Sequence, residues 1–181
     1  SQKKAKVDCI LIEGDARESH PEIRDGTIDL AITSPPYLNN YDYADRTRLE
    51  TYFFGMMSSW GEITEKIRDK LMIAATTQIR RSEFDERHIV AEDIRRASPA
   101  VYAELVQKVE ALSEIRLKKG GRKSYDIMVG AYFDDMLKVL KQVYRALKKD
   151  SDFVLVLGDS APYGVYIPTE EYLGQLALGI G

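Results

Sequence analysis

Apolar residues come in two textures along this chain. Towards both ends they form short dense runs, whereas through the middle they recur every three or four positions among charged residues. Val7-Asp8-Cys9-Ile10-Leu11-Ile12-Glu13 reads as a strand, with Gly14-Asp15-Ala16-Arg17 as its turn. After Pro21 and the Asp25-Gly26 turn signal, Thr27 to Thr33 reads as a second strand. Two apolar strands this close predict adjacent positions in a buried sheet.

The second run stops abruptly at Ser34-Pro35-Pro36-Tyr37. Two prolines forbid both a helix and a sheet ladder, so the chain must leave the strand extended. In an open α/β sheet, ligands collect outside the carboxyl ends of the strands, and a reactive loop is expected here. Leu38-Asn39-Asn40-Tyr41-Asp42-Tyr43, polar and aromatic without a period, extends it.

Helical spacing begins at Arg46 to Phe54, with Leu49, Tyr52 and Phe53 on one face and Gly55 as a stop. Glu62 to Arg80 carries Ile63, Ile67, Leu71 and Ala74 at helical intervals, and Phe84 to Ala97 predicts a more polar helix. A third helix is the best marked. Ser98 can cap it, Pro99 suits its first turn, and Tyr102, Leu105, Val109 and Leu112 follow on one face. Residues 58–123 therefore read as a helical insertion between two parts of an α/β core, 1–57 and 124–181. No glycine- or serine-rich linker and no repeat divides them.

The α/β texture returns with a helix over Tyr132 to Leu147, whose Phe133, Met136, Leu137, Leu140, Val143, Tyr144 and Leu147 form a broad stripe. Lys148 and Lys149 suit its C-terminal dipole. Phe153 to Gly158 is an apolar strand ending in Asp159-Ser160, and Thr169 to Leu178 starts another helix. A helix leading into a buried strand predicts a crossover, hence a parallel sheet.

Composition narrows the function classes only a little. With 181 residues, 44 % hydrophobic and 30 % charged, the chain is of globular type, and no apolar run reaches the roughly 20 residues that span a bilayer. A cytoplasmic place without a membrane partner is expected. One cysteine, Cys9, excludes an internal disulfide and is expected to be a buried structural thiol; with only His20 and His88 beside it, no metal site is expected. The formal charge of −3 gives no whole-chain argument for nucleic acid. Locally, Arg116-Leu117-Lys118-Lys119-Gly120-Gly121-Arg122-Lys123 crowds cations around two glycines. It reads either as a solvated helix end or as a phosphate-contacting loop built on Lys118, Lys119, Arg122 and Lys123.

At the strand end, extended prolines leave carbonyls free, and a carbonyl beside a side-chain oxygen can receive the two hydrogens of an exocyclic amine. Tyr37 adds a flat face for a base taken out of its helix. Ser-Pro-Pro-Tyr after an apolar strand resembles the motif of the DNA amino-methyltransferases, S-adenosylmethionine-dependent enzymes that methylate cytosine N4 or adenine N6. Gly14-Asp15-Ala16, Asp25 to Leu30, Thr33 to Tyr43 and Leu147 to Ser160 stand in the order of that family's motifs.

The resemblance implies a mostly parallel, Rossmann-like methyltransferase sheet, present in part, acting on double-stranded DNA in a prokaryotic restriction-modification or related system. Ser34, Pro35, Pro36 and Tyr37 become the candidate catalytic residues, with Ser34 pointing to cytosine N4 ahead of adenine N6. Asp15 and Thr33 are implied cofactor contacts, although Asp15 also reads as a turn aspartate. Asp159 and Ser160 are implied in the base pocket, or else cap a helix. The family's glycine-rich turn for the methionine part of the cofactor is not found, and Gly174, Gly179 and Gly181 follow a helix-like segment. The chain is therefore expected to be a fragment or one half of a split enzyme, whose partner is the remainder or a second subunit. A non-catalytic nucleic-acid-binding or assembly module of the same fold is the alternative.

Overall fold

The structure, a computed structural model, describes residues 8–181. Its centre is α6, Tyr125–Ala146, which runs directly into the strand Leu147–Leu155. That strand, β2, pairs in parallel with β1, Ile28–Thr33, so the parallel crossover expected from the pattern is present. The register runs from Ile28 opposite Leu147 to Thr33 opposite Leu155, with an irregularity between Ile28 and Leu30. Among the described residues these two strands make up the sheet.

Around α6 lie α5, Pro99–Lys118, the short α4, Glu92–Ala97, and α7, Thr169–Ile180. One core holds them: Leu105 and Leu112 from α5, Ile94 from α4, Phe133, Met136 and Leu140 from α6, and Tyr172 and Leu176 from α7. Each helix turns its apolar stripe inward because burial of a leucine- or phenylalanine-sized side chain is worth about 1.5–3 kcal/mol. Ser98 caps α5 as expected, its Oγ accepting the Val101 N–H at 3.3 Å, with Pro99 in the first turn. The architecture is a partial Rossmann-like α/β fold, helices on one face of a small parallel sheet.

Several elements depart from the expected pattern. Val7 lies outside the described residues, and residues 8–13 form no strand; Ile10 and Leu11 are exposed. Alternation makes a segment fit for a sheet, but a strand exists only against a partner. Cys9 is accordingly exposed rather than buried. β1 and β2 are covered on one side only: Ala31, Thr33, Phe153 and Leu155 turn inward, while Leu30, Ile32, Val154 and Val156 face outward, Ile32 being 66 % exposed.

The expected helix over Glu62 to Arg80 is broken into α3, Ile63–Lys66, and short 3-10 turns. Side chains take the backbone hydrogen bonds that a helix would use. Gln78 Oε1 accepts from the N–H groups of Ala74 and Ala75 at 2.8 and 3.0 Å, and its Nε2 donates to the Met72 carbonyl at 2.9 Å. Only Glu92–Ala97 of the expected Phe84 to Ala97 helix forms, because Asp85 captures the Arg87 N–H at 3.0 Å and holds a turn. The expected Arg46 to Phe54 helix is split into α1, Tyr43–Arg46, and α2, Arg48–Phe53, and its Leu49 and Phe53 point to solvent. At the far end, the helix over 132–147 begins earlier, and Lys148 joins β2, where it pairs with Asp29 at 2.6 Å.

Candidate active site

Ser34-Pro35-Pro36-Tyr37 leaves the carboxyl end of β1, with Ser34 exposed, Pro35 buried and Tyr37 half-buried. The Pro35 carbonyl accepts no hydrogen bond among the described residues. Ser34 Oγ lies 3.5 Å from Tyr37 Oη, at the limit of a hydrogen bond, so its acceptor capacity is largely free. Both oxygens are thus available to a donor from outside.

The loop that follows is tightly held. Tyr37 N–H donates to Tyr43 Oη at 3.1 Å, and the Tyr37 carbonyl accepts the Asn39 N–H at 2.8 Å. Asp42 caps α1 through the Asp45 N–H at 3.1 Å, and it also accepts from Arg68 Nε at 3.0 Å and Thr77 Oγ1 at 2.8 Å. Burial opposes the Asp42 charge, but these three donors win and keep its carboxyl below the ordinary aspartate range. Asn40 Oδ1 accepts from both the N–H and the hydroxyl of Thr76, at 2.8 and 2.9 Å. Residues 58–80 therefore buttress the loop, a role that the period of their apolar residues did not announce.

Ser160 reaches the same place, its hydroxyl donating to the Leu38 carbonyl. Asp159 does not. It accepts from the Tyr166 hydroxyl and from the Glu170 N–H in the first turn of α7, the latter at 3.3 Å, which is a capping role. The Tyr166 hydroxyl holds the Asp159 carboxyl below its ordinary value, against a slight desolvation.

On the other side of β1, Gly14, Asp15 and Ala16 line a cavity of about 460 Å³ whose apolar walls include Ile28, Ala31, Val139 and Val143. Arg17 grips Asp15 with Nε and Nη2 at 2.9 and 2.6 Å, and its Nη1 bridges to buried Asp135 at 2.9 Å. Those hydrogen bonds lower the Asp15 pKa. Thr33 is half-buried, and its carbonyl accepts the Val156 N–H at 2.9 Å, so its backbone extends the sheet. A further concavity, about 840 Å³ between the start of β2 and the end of α7, is lined by none of the residues Ser34 to Tyr37 and carries none of the expected chemistry.

In the basic segment, Arg116 is buried and bound to Asp126 at 3.2 Å, together with Arg81 at 2.7 Å. Lys118, Lys119, Arg122 and Lys123 are exposed and form no ion pair among the described residues. Lys119 Nζ stands 5.3 Å from the Tyr163 ring centre and Lys123 Nζ 5.8 Å from that of Tyr125; the two rings meet edge to face at 4.6 Å. Tyr163 adopts a left-handed backbone, φ 51°, uncommon for a bulky residue.

Over 94 % of its length the chain aligns with the type II methyltransferase M.BsoBI of Geobacillus stearothermophilus, 28 % identical over 183 residues. The chain resembles type II methyltransferases. M.AvaI of Nostoc sp. and M.AvaI of Anabaena variabilis, type II methyltransferases as well, are each 29 % identical over 163 residues, covering 89 % of this chain. The alignment covers 34 % of M.BsoBI and 32 % of either M.AvaI, so the chain spans about a third of the length of these curated relatives. No family model matches the chain, and no solved structure gives a significant match. The resemblance read from Ser34 to Tyr37 and these type II methyltransferases point the same way.

Arg17, Asp42 and Tyr43 were not singled out individually by the sequence pattern. Arg17 carried a signal in retrospect, standing two residues beyond Asp15 in the same turn.

Proposed function

We propose that this chain carries the target-base part of a DNA methyltransferase that transfers a methyl group to the exocyclic amine of a flipped base, cytosine N4 ahead of adenine N6. Similarity to type II methyltransferases over nine tenths of the chain, with Ser-Pro-Pro-Tyr at the carboxyl end of a parallel strand, carries this reading. Ser34 Oγ and the Pro35 carbonyl receive the two amine hydrogens, and Tyr37 stacks on the ring. Drawing on both hydrogens weakens conjugation of the nitrogen lone pair with the ring, which favours the transition state over the planar ground state. A strong base is unnecessary, since the nitrogen can lose its proton to water after the new N–C bond forms. Among the described residues no histidine faces Ser34, and Ser34 acts as a positioning acceptor rather than a nucleophile.

S-adenosylmethionine, when bound, supplies an electrophilic sulfonium methyl group. The cavity beside Gly14, Asp15 and Ala16 fits its adenosine end: the walls are mostly apolar and Asp15 is among the residues that line it. Glu18, His20, Gln142 and Arg145 also line the cavity, and the glycine-rich turn for the methionine end is assigned to a remainder, for which the greater length of the relatives leaves room. That remainder is also the partner expected to cover the outward face of the sheet, where Leu30, Ile32, Val154 and Val156 are uncovered. Lys118, Lys119, Arg122 and Lys123 contact DNA phosphate, and residues 58–123 act as an insertion that supports both this loop and the base site.

A second reading is a non-catalytic nucleic-acid-binding or assembly module. The bidentate hold of Arg17 on Asp15 favours it, since that carboxylate is already engaged. Calorimetric titration of the full-length protein with S-adenosylmethionine separates the two: saturable binding supports the enzyme, and the absence of any heat supports the module.

A further inference from the structure

Residues 8–27 form neither helix nor strand, so the place of Asp15 in the cavity wall depends on side chains. Among the described residues, the hydrogen bonds that tie residues 14–18 to the rest of the molecule both come from Arg17. Its Nη1 donates to Asp135 Oδ2 at 2.9 Å, and its Nη2 to the Lys70 carbonyl at 3.1 Å. The same guanidinium grips Asp15, with Nε 2.9 and 3.0 Å from the two carboxylate oxygens and Nη2 2.6 Å from Oδ2.

Asp135 is buried on α6, one turn before Val139, which is a wall of the cavity; Asp135 itself is not among the residues that line it. Its Oδ2 also accepts the Ile73 N–H at 3.0 Å. The Asp15 carboxylate, for its part, keeps room for a ligand. Ionised, it offers about four lone-pair sites, and Arg17 fills three, with its backbone N–H, Nε–H and Nη2–H. One acceptor position is left for an O–H or N–H donor. An ion pair between residues two apart at the surface holds such a geometry weakly. Anchoring the guanidinium at Asp135 and Lys70 fixes it.

We propose that Asp135 is a positioning residue of the cofactor site: acting through Arg17, it fixes the Asp15 carboxylate so that the open acceptor position receives one hydrogen of the adenosine end of S-adenosylmethionine. The inference rests on the methyltransferase reading, and it makes the hold of Arg17 on Asp15 a support of binding rather than an obstacle. No proton moves, no covalent bond changes, and Asp135 does not touch the cofactor. A carboxylate oriented before the ligand arrives loses less freedom on binding, which lowers Kd and leaves kcat alone.

The test uses the full-length protein with Asp135→Asn, Arg17→Lys and the double variant. Asp134→Asn, one residue away on α6 and paired with Lys138 at 2.7 Å, is the control. Asparagine still accepts the Ile73 N–H without the charge, and lysine keeps the charge without the fork that reaches both carboxylates. Calorimetry gives Kd for S-adenosylmethionine and for its demethylated product, S-adenosylhomocysteine; melts give Tm, and initial rates give kcat at saturating cofactor and DNA. Either single variant is expected to raise both Kd values about tenfold, the worth of one charge-assisted hydrogen bond, with kcat within about twofold. The double variant is expected to bind no more weakly than the weaker single one, and Asp134→Asn to bind as wild type. An unchanged Kd, with or without a lower Tm, makes Asp135 a support of the fold alone and overturns the inference. A loss confined to kcat, or Kd losses that multiply in the double variant, overturns it as well. Should Asp135→Asn fail to fold, Arg17→Lys alone decides. Wild-type protein that binds neither ligand overturns the underlying reading, an outcome distinct from a binding wild type with unaffected variants.

Discussion

The backbone N–H of Tyr37 donates to the phenolic oxygen of Tyr43, 3.1 Å away. Through this bond the ring proposed to stack on a base is tied to the first residue of α1, whose cap, Asp42, is held by Arg68 and Thr77. The rigidity of the strand-end loop is therefore built from side chains well beyond the loop.

Tyr37→Ala removes the stacking face while keeping the backbone N–H that Tyr43 receives. Stacking on an aromatic ring is worth about 1–3 kcal/mol per base, so methyl transfer should fall about tenfold or more while overall DNA affinity changes little. The loss should be equal on DNA whose target base is already extrahelical, because the ring is proposed to stack on the base once it is out of the helix; unchanged turnover there would count against the stacking role. Comparison of kcat/KM on paired and mismatched targets checks this.

The basic segment divides into a structural cation and available ones. Arg116 is buried against Asp126, whereas Lys118, Lys119, Arg122 and Lys123 are exposed. Replacing the four exposed residues by alanine should flatten the dependence of log affinity on log salt by about 0.9 for each phosphate that the loop no longer neutralises. Binding isotherms at several salt concentrations measure the slope, and an unchanged slope removes the loop from the interface.

Asp126 is fully buried and accepts from Arg81 Nη1 and Nη2 at 3.1 and 2.7 Å and from Arg116 Nε at 3.2 Å. Burial alone would raise its pKa, but the hydrogen bonds and charges of the two arginines lower it below the ordinary 3.8. A carboxylate depressed in the folded state adds stability that is complete above its unfolded pKa and is lost as pH falls through the folded one. The wild type should therefore lose stability below about pH 4. Asp126→Ala should cost about 3 kcal/mol at neutral pH, since it strands two guanidiniums, and should flatten that acid limb. Denaturant melts across pH test both effects.

Two helical glycines make opposite predictions. A Cβ at Gly130, on α6, would run into the Ile89 carbonyl, whereas at Gly174, on α7, nothing stands within 4 Å. Gly130→Ala should destabilise by about 1–3 kcal/mol through overpacking. Gly174→Ala should stabilise by about 0.5–1 kcal/mol through helix propensity. Thermal melts of the two variants decide it.

How much of this was legible in the chain follows from where each element finds its partners. α5, α6 and α7 could be read because their own sequence sets them: Ser98 and Pro99 start α5, and a wide apolar stripe commits α6 to the core. β1 was legible as a dense apolar run, whereas β2 was legible only over Phe153 to Leu155, since it starts at Leu147 in a polar stretch and ends short of Gly158. The outward exposure of Ile32 and Val156 was not legible either, since density says nothing about which faces are covered. Residues 62–80 misled because their backbone is satisfied by Gln78 and by distant Asn40 and Asp135, including the Ile73 N–H bound to Asp135 at 3.0 Å. Bonds that cross 36 or 62 positions leave no period. In the site, Ser34 to Tyr37 announced themselves through their residue types, whereas Asp159 looked the same in sequence whether it lined a pocket or capped α7.

In the proposed function the Ser34–Tyr37 loop presents an exocyclic amine for methylation. Its most direct test is to incubate DNA with the full-length protein and S-adenosylmethionine, digest it to nucleosides, and identify the modified base by mass spectrometry. Wild-type protein should produce N4-methylcytosine, and Ser34→Ala should reduce its yield. Methylation at cytosine C5, or no modified base on any DNA, would overturn this function.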